Sequence, residues 1–455
     1  MPQSFASLRS EMQSTLRKII DFWLTHSIDA QYGGFLTCFD EHGSPTADTN
    51  KYLVTQCHML WGFSYLTDFC APIHKEPMQQ AAMQGLEFLI KHFWDDEHGG
   101  FGWKTDRAGT MEDNSKLIYG QSIAMYALTE YYRQYKDARA MSYVEKLFYF
   151  IQVYAADTQN GGYYENLEPD WSPSAGGVYA GERKSLDVHM HLMMAFTALY
   201  TVLPMEIYAR KLKEIVELIM SRMINSVNGF GYGQLDAAFN RIPSIKIHRT
   251  WSAERQAGEV VEAPTDTTSY GHNIGLSWLL TLALETINAG PYQKLERGYF
   301  INVVKGMVDH SIRRGYDHEY GGVFYEGTAD NRPLVSDKEW WHNFEALVGY
   351  ANGCVYFKED KYPKALRGTW EFIRDKFIVE SIGESRQLLT RTGEPIVSDI
   401  GNPWKGIYHT GRALAETILR LNSLITSKKT FHKEDRDRIS LRRRRQILRG
   451  KQKQS

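Results

Sequence analysis

The sequence is sparing in the features that mark whole classes of protein. Four cysteines in 455 residues, Cys38, Cys57, Cys70 and Cys354, form no C-x-x-C pair and no metal-ligand spacing. That argues against a disulfide framework and a zinc site, and it favours a reducing compartment, the cytoplasm. No apolar run is long enough to span a bilayer. The N-terminal segment MPQSFASLRSEMQSTLRKII mixes acidic and basic side chains in a helical pattern, without the apolar core of a signal peptide. Net charge is only −1 and is unevenly spread: residues 428–455 hold twelve Lys and Arg against three Asp and Glu. The remainder is mildly acidic and offers nucleic acid no footprint. No G-x-G-x-x-G opens a helix, so a phosphate cradle is absent as well.

What is present is a repeat. Glycine–aromatic punctuation recurs as Tyr32-Gly33-Gly34-Phe35, His98-Gly99-Gly100-Phe101, Asn160-Gly161-Gly162-Tyr163, Asn228-Gly229-Phe230-Gly231 and Tyr320-Gly321-Gly322-Val323. Successive first glycines are 66, 62, 68 and 92 residues apart, and a weaker sixth copy lies near Gly383. A few alternating residues and a turn follow each copy, the pattern of a short hairpin. Between the copies, apolar residues recur with a 3.6-residue period, as in Phe5, Leu8, Met12, Leu16, Ile19, Ile20 and Trp23.

The periodicity predicts twelve helices, near 5–26, 53–69, 76–94, 115–134, 137–154, 185–203, 206–225, 268–287, 294–314, 341–357, 361–378 and 405–424. Two helices and a hairpin, six times over, describe a closed toroid of helical hairpins. An open solenoid would need polar capping repeats, and none is visible. The expected organisation is one all-α domain over residues 1–426, followed by a basic tail over 427–455 that reads as disordered or as a solvated helix. The long interruption between Gly229 and Thr268 is a candidate active-site flap or a structural insertion.

Three histidine-bearing segments stand at predicted helix ends in three different repeats: Lys184-Ser185-Leu186-Asp187-Val188-His189-Met190-His191, Ser269-Tyr270-Gly271-His272-Asn273 and Trp404-Lys405-Gly406-Ile407-Tyr408-His409. In a closed toroid, termini at one end converge on a central pocket. Imidazole titrates near working pH, so two such groups on opposite faces of a bound sugar suit removal and return of a proton beside a carbonyl. Metal binding is the competing use. The only histidine pair near a carboxylate is His189 and His191, which point apart on a helix, so no metal is expected.

These segments, together with Lys338-Glu339-Trp340-Trp341-His342-Asn343-Phe344-Glu345, Lys51 to Gln56 and Lys116 to Gln121, resemble the N-acylglucosamine 2-epimerase superfamily, with the cellobiose 2-epimerase branch most similar. The resemblance runs from about residue 10 to residue 424. It implies an (α/α)6 barrel and cofactor-free interconversion at C2 of an aldose through a cis-enediol intermediate. By position it makes His272 and His409 the pair that moves the C2 proton, and His191 the residue assisting at the ring oxygen and C1. Trp341 and Trp404 become stacking platforms, Tyr119 a hydroxyl contact, and Glu345 and Asp187 polar groups beside the sugar.

Three positions depart from that pattern. His58 stands where the family usually has an arginine for the developing oxyanion, so it is the expected substitute in that role. Gly275 and Met194 stand at frequent glutamate positions.

The expected activity is therefore that of a sugar 2-epimerase or aldose–ketose isomerase on a free aldose or reducing-end disaccharide, as a monomer or homodimer. One alternative is a glycoside hydrolase or lyase on the same barrel, drawing on Glu165, Asp187, Glu262 or Glu345. The other is a non-catalytic sugar binder descended from the enzyme.

Overall fold

Helices that are apolar on every face must lie inside a protein, whereas helices with one apolar stripe cover them. Both kinds alternate along this chain. The structure is a computed structural model and describes residues 4–174, 183–242, 267–328 and 333–427. Among these residues it contains twelve α-helices: α1 (Phe5–His26), α2 (Leu53–Tyr65), α3 (Lys75–His92), α4 (Ile118–Tyr135), α5 (Ala138–Phe150), α6 (Leu186–Val202), α7 (Glu206–Leu218), α8 (Tyr270–Ala289), α9 (Arg297–His310), α10 (Trp340–Tyr356), α11 (Lys361–Phe372) and α12 (Ile407–Ser427). Each predicted helix is present. Four outer helices end in a five-residue π-turn, for example Ile151–Ala155 after α5 and Ile219–Met223 after α7.

The even-numbered helices form the inner ring. All of α2 is buried, while α5 buries only Ala140, Met141, Val144, Leu147 and Phe148, a single stripe. Inner neighbours pack in order, α2 on α4, α4 on α6, α6 on α8, α8 on α10 and α10 on α12, and α12 returns to α2. That last contact closes the ring. Each odd-numbered helix packs outside, α3 against α2 and α1 against α12. The fold is the (α/α)6 barrel.

A repeated latch ties each hairpin to the start of the next inner helix. In four repeats a buried lysine just before the helix pairs with a buried aspartate: Lys51–Asp29 at 3.1 Å, Lys116–Asp95 at 2.8 Å, Lys184–Asp157 at 2.7 Å and Lys338–Asp317 at 3.1 Å. Five residues beyond each lysine, a polar side chain grips the hairpin backbone. The Gln56 carbonyl accepts from Phe35 N at 2.9 Å, Gln121 from Phe101 N at 3.0 Å, and Asn343 from Val323 N at 2.7 Å. His189 does the same, its Nε2 accepting from Tyr163 N at 3.0 Å. The second glycine of the pair leaves room for the grip. Gly162 has φ +74°, and a Cβ there would fall 2.7 Å from His189 Nε2.

The fourth repeat carries no charge in its latch, with Asn225 and Thr268 at the two positions and Asn273 gripping Gly231 N at 2.9 Å. The sixth uses Lys405 with Glu384 at 3.5 Å, and Thr410 donates to Glu384 at 3.1 Å. The basic tail and most of the candidate flap, residues 243–266, lie outside the described residues.

Candidate active site

The latches fix the N-terminal ends of the inner helices at the hairpin end of the barrel, and a pocket opens there. It is lined by Tyr119 of α4, Asp187, Met190 and His191 of α6, and Gly271, His272, Gly275 and Leu279 of α8. Trp340, Trp341 and Glu345 of α10 and His409 and Arg412 of α12 complete the inner-ring contribution, with Trp404, Ser269, Tyr325 and Glu339 on the short strands and loops above. About 810 Å³ of atom-free space, counting the open mouth, lies inside. Because it is built on helix N-termini, the pocket carries partial positive charge that favours an anion forming within it.

Of the residues singled out from sequence, His191, His272, His409, Tyr119, Asp187, Trp341, Glu345 and Trp404 all line this one pocket. They are organised as two imidazole–carboxylate sets. In the first, Asp187 Oδ1 lies 2.9 Å from His191 Nδ1 and 3.2 Å from His272 Nε2. The His191 Nδ1–H points at the Asp187 carbonyl oxygen, 2.8 Å away. A carbonyl only accepts, so the proton sits on Nδ1 and Nε2 is the nitrogen left to exchange one.

In the second set, His409 Nδ1 donates to Glu345 Oε1 at 3.1 Å. Arg412 donates to the same oxygen, and Trp278 Nε1 donates to Oε2 at 3.0 Å. Trp341 touches both sets, with ring centroids 4.7 Å from His272 and 5.7 Å from His409. Its Nε1 is held by Glu339 Oε2 at 2.9 Å. Tyr119 meets His191 edge-on at 4.8 Å and approaches Trp404 at 6.2 Å.

The surroundings set the charge of these groups. Burial pushes the Asp187 carboxyl up, but His272 and His191 outweigh it and hold Asp187 well below the usual range. Burial acts likewise on Glu345, where Arg412 and then His409 prevail, so it too is ionised. Burial lowers His409 to about 4 against the opposing pull of Glu345. His409 is therefore neutral near pH 7, the form that accepts a proton. Among the described residues, no group of three or more His, Cys, Asp or Glu side chains is placed to hold a metal ion.

His58 is a correction. The expected oxyanion-holding residue does not line the pocket. It lies behind the pocket wall at 1% exposure, stacked on Tyr408 with centroids 4.2 Å apart and planes 6° apart, and edge-on to His409 at 5.7 Å. Neither ring nitrogen has a hydrogen-bond partner. Burial, with His409, Arg412 and His191 nearby, pushes its pKa well below the ordinary value, so it supplies no cation.

Met194 shares this layer, its Sδ 3.2 Å from the Tyr408 hydroxyl. Gly275 does line the pocket. The nearest atom to a Cβ there would be Glu345 Oε2 at 3.6 Å, so the absent side chain leaves open space beside that carboxylate. Among the carboxylates considered for a hydrolase, Glu345 accepts from His409 and Asp187 lies within ion-pair distance of two imidazoles. Glu165 is buried against the Ser185 backbone N–H, and Glu262 lies outside the described residues.

Sequence reasoning missed Arg412, Glu339 and Tyr325. The signal for Arg412 was its place three residues after His409, on the same helix face.

The model of the family described as N-acylglucosamine 2-epimerase (GlcNAc 2-epimerase) matches residues 34–413. The chain belongs to this family. A cellobiose 2-epimerase of Dictyoglomus turgidum is 27% identical over 422 residues, covering 91% of this chain and 99% of the relative. The solved cellobiose 2-epimerase of Bacillus thermoamylovorans superposes with TM-score 0.79 at 23% identity, over 91% of this chain and 100% of that one. A D-mannose isomerase structure superposes with TM-score 0.75 at 18% identity, over 90% and 97%; these two likenesses speak for the fold. Membership in the N-acylglucosamine 2-epimerase family makes the protein an enzyme of the carbohydrate epimerase and isomerase class. Among the described residues, no helix is long and apolar enough to cross a membrane.

Proposed function

We propose that this enzyme interconverts sugars at C2 of a free aldose or of the reducing end of a disaccharide, as a 2-epimerase or aldose–ketose isomerase. One imidazole of the pair His272 and His409 removes the C2 proton from the open-chain aldehyde. The bonding electrons form the C1=C2 double bond of a cis-enediol, and the carbonyl oxygen takes up charge or a proton. Epimerisation follows when the other imidazole protonates C2 from the opposite face; return of the proton to C1 gives the ketose. His191, with Nε2 free, serves ring opening, and Trp341 and Trp404 present flat faces for the sugar. Asp187, Glu345 and Tyr119 meet its hydroxyls.

The observation that carries this reading is the pair of imidazole–carboxylate sets around one pocket, both in contact with Trp341. Helix N-termini around the pocket favour the enediolate that develops there. The catalytic unit on this reading is residues 1–426, as a monomer or homodimer. Four free cysteines suit a reducing compartment, the cytoplasm.

The test is incubation with cellobiose, mannobiose, glucose, mannose and N-acetylmannosamine in deuterated water. Deuterium at C2 of the epimeric aldose with no ketose formed identifies the epimerase, and deuterium at C1 of a ketose identifies the isomerase. Absence of deuterium from every sugar, with folded protein, overturns the reading for these substrates.

A further inference from the structure

The two imidazole–carboxylate sets are not equivalent, and the difference lies in one guanidinium. Arg412 is 2% exposed and lines the pocket floor. It donates to Glu345 Oε1, the same oxygen that receives His409 Nδ1–H. Its other terminal nitrogen bonds the Tyr408 hydroxyl and lies 3.0 Å from Met194 Sδ. The guanidinium also stacks 4.2 Å from the Tyr408 ring and 5.2 Å from the Trp278 ring, which fixes its plane. Asp187, the carboxylate of the other set, has no guanidinium or ammonium within ion-pair distance among the described residues; its close partners are His191 and His272.

We propose that Arg412 is the positioning residue that keeps His409 ready as a base: by offsetting the charge of Glu345 it lets burial leave His409 unprotonated in the resting enzyme, able to take the C2 proton of the epimer that presents it to that side. This rests on the reading that His272 and His409 exchange the C2 proton. A carboxylate alone would draw a proton onto the imidazole beside it. A carboxylate already paired with an arginine still orients Nδ1–H but stabilises the imidazolium less.

The other groups facing His409 act in the same direction or are uncharged. His58 approaches from α2 at 5.7 Å and has no charge of its own. His191 from α6 opposes a second positive charge. Trp340 and Trp341 face it from α10, and Tyr408 from its own helix. Among the described residues Glu345 is the one carboxylate within ion-pair distance of His409, and Arg412 is the cation that offsets its charge. Met194 and His58 behind Arg412 bring no carboxylate to compete for the guanidinium.

Nitrogen-15 histidine NMR reads the assignment without requiring turnover, which keeps it separable from the choice of sugar. In the parent protein His409 should stay neutral down to about pH 4. In Arg412→Met its titration should rise by about one pH unit or more, because the bare Glu345 charge then acts on it. Arg412→Lys should restore part of the shift, and the acid limb of kcat/KM on any turned-over sugar should move with it. Glu345→Gln, which keeps the guanidinium, should move His409 the other way, to lower pH. A merely structural role for Arg412 would lower the melting temperature and leave the titration in place. An unmoved His409 in folded Arg412→Met overturns the proposal. So does an upward shift in Glu345→Gln, which decides the matter if the arginine variants fail to fold. Loss of deuterium exchange on every sugar with these shifts intact would instead overturn the C2 reading.

Discussion

Replacing Lys184 by threonine tests what the repeated latch contributes, because the chain contains its own control. Lys184 Nζ lies 2.7 Å from Asp157 Oδ2 and donates to the carbonyls of Gly161 at 2.5 Å and Ala237 at 2.8 Å, and both charged side chains are fully buried. Removing the ammonium alone leaves Asp157 as a buried charge held only by Asn160 and the N–H groups of Gln159 and Asn160. Breaking a buried pair in this way costs about 3–5 kcal/mol, a large share of a total stability of about 5–15 kcal/mol.

The fourth repeat, with Asn225 and Thr268 at the same two positions, shows that a neutral latch is compatible with the fold. The double variant Asp157→Asn/Lys184→Thr should therefore lose only about 1–2 kcal/mol, and the two changes should couple by about 2–3 kcal/mol. Equilibrium urea unfolding measures both. The acid limb gives an independent reading. Burial raises Asp157, but Lys184 and the turn N–H groups hold it at about 2 in the folded chain, below the unfolded value of about 4. Its contribution is therefore full above about pH 4 and lost as pH falls toward about 2, and the double variant should lack this component. A double variant as unstable as the sum of the two singles, or a single variant destabilised by less than about 1 kcal/mol, would refute the reasoning.

Three further outcomes are expected. His189→Ala should lose about 1–3 kcal/mol of stability by orphaning Tyr163 N–H and leave kcat within about threefold of the parent. His191→Ala should do the reverse; denaturation and turnover on a responsive sugar separate them. His58→Phe, which keeps the stack on Tyr408 and removes two unpartnered ring nitrogens, should leave stability within about 1 kcal/mol and kcat/KM within about threefold. A loss of about a hundredfold in folded protein would restore an oxyanion role to His58. Gly275→Ala should fold normally, since its Cβ meets only ordinary contact, and any effect should appear in KM, read from initial rates over a range of sugar concentrations.

Much of the fold was legible because alternation is a strong signal. Stripes such as Ala140, Val144 and Leu147 mark outer helices, and glycine pairs mark each return to the hairpin end. The meeting of His191, His272 and His409 followed from that topology, since helix starts in different repeats share one end of a closed ring. The direction of His58 did not follow. Every residue of α2 is buried, so periodicity could not tell the pocket side from the seam against α12.

The lysine-led segments were also visible, at Lys51 to Gln56 and Lys116 to Gln121, but as motifs without a mechanism. The structure shows that Lys51, Gln56, Lys116 and Gln121 hold hairpins, and that only Tyr119 between the latter two reaches the pocket. Arg412 was missed because its partner, Glu345, is on another helix, and only packing brings α10 and α12 together.

The most direct measurement is the half-reaction. Substrates of each C2 configuration, deuterated at C2, are incubated with His272→Asn and with His409→Asn, and loss of deuterium to water is followed by NMR. Each variant should retain washout from one epimer and lose it from the other, with the preference reversed between the two. Equal washout from both epimers in both variants would contradict the account, because the two imidazoles would then not serve opposite faces of one carbon.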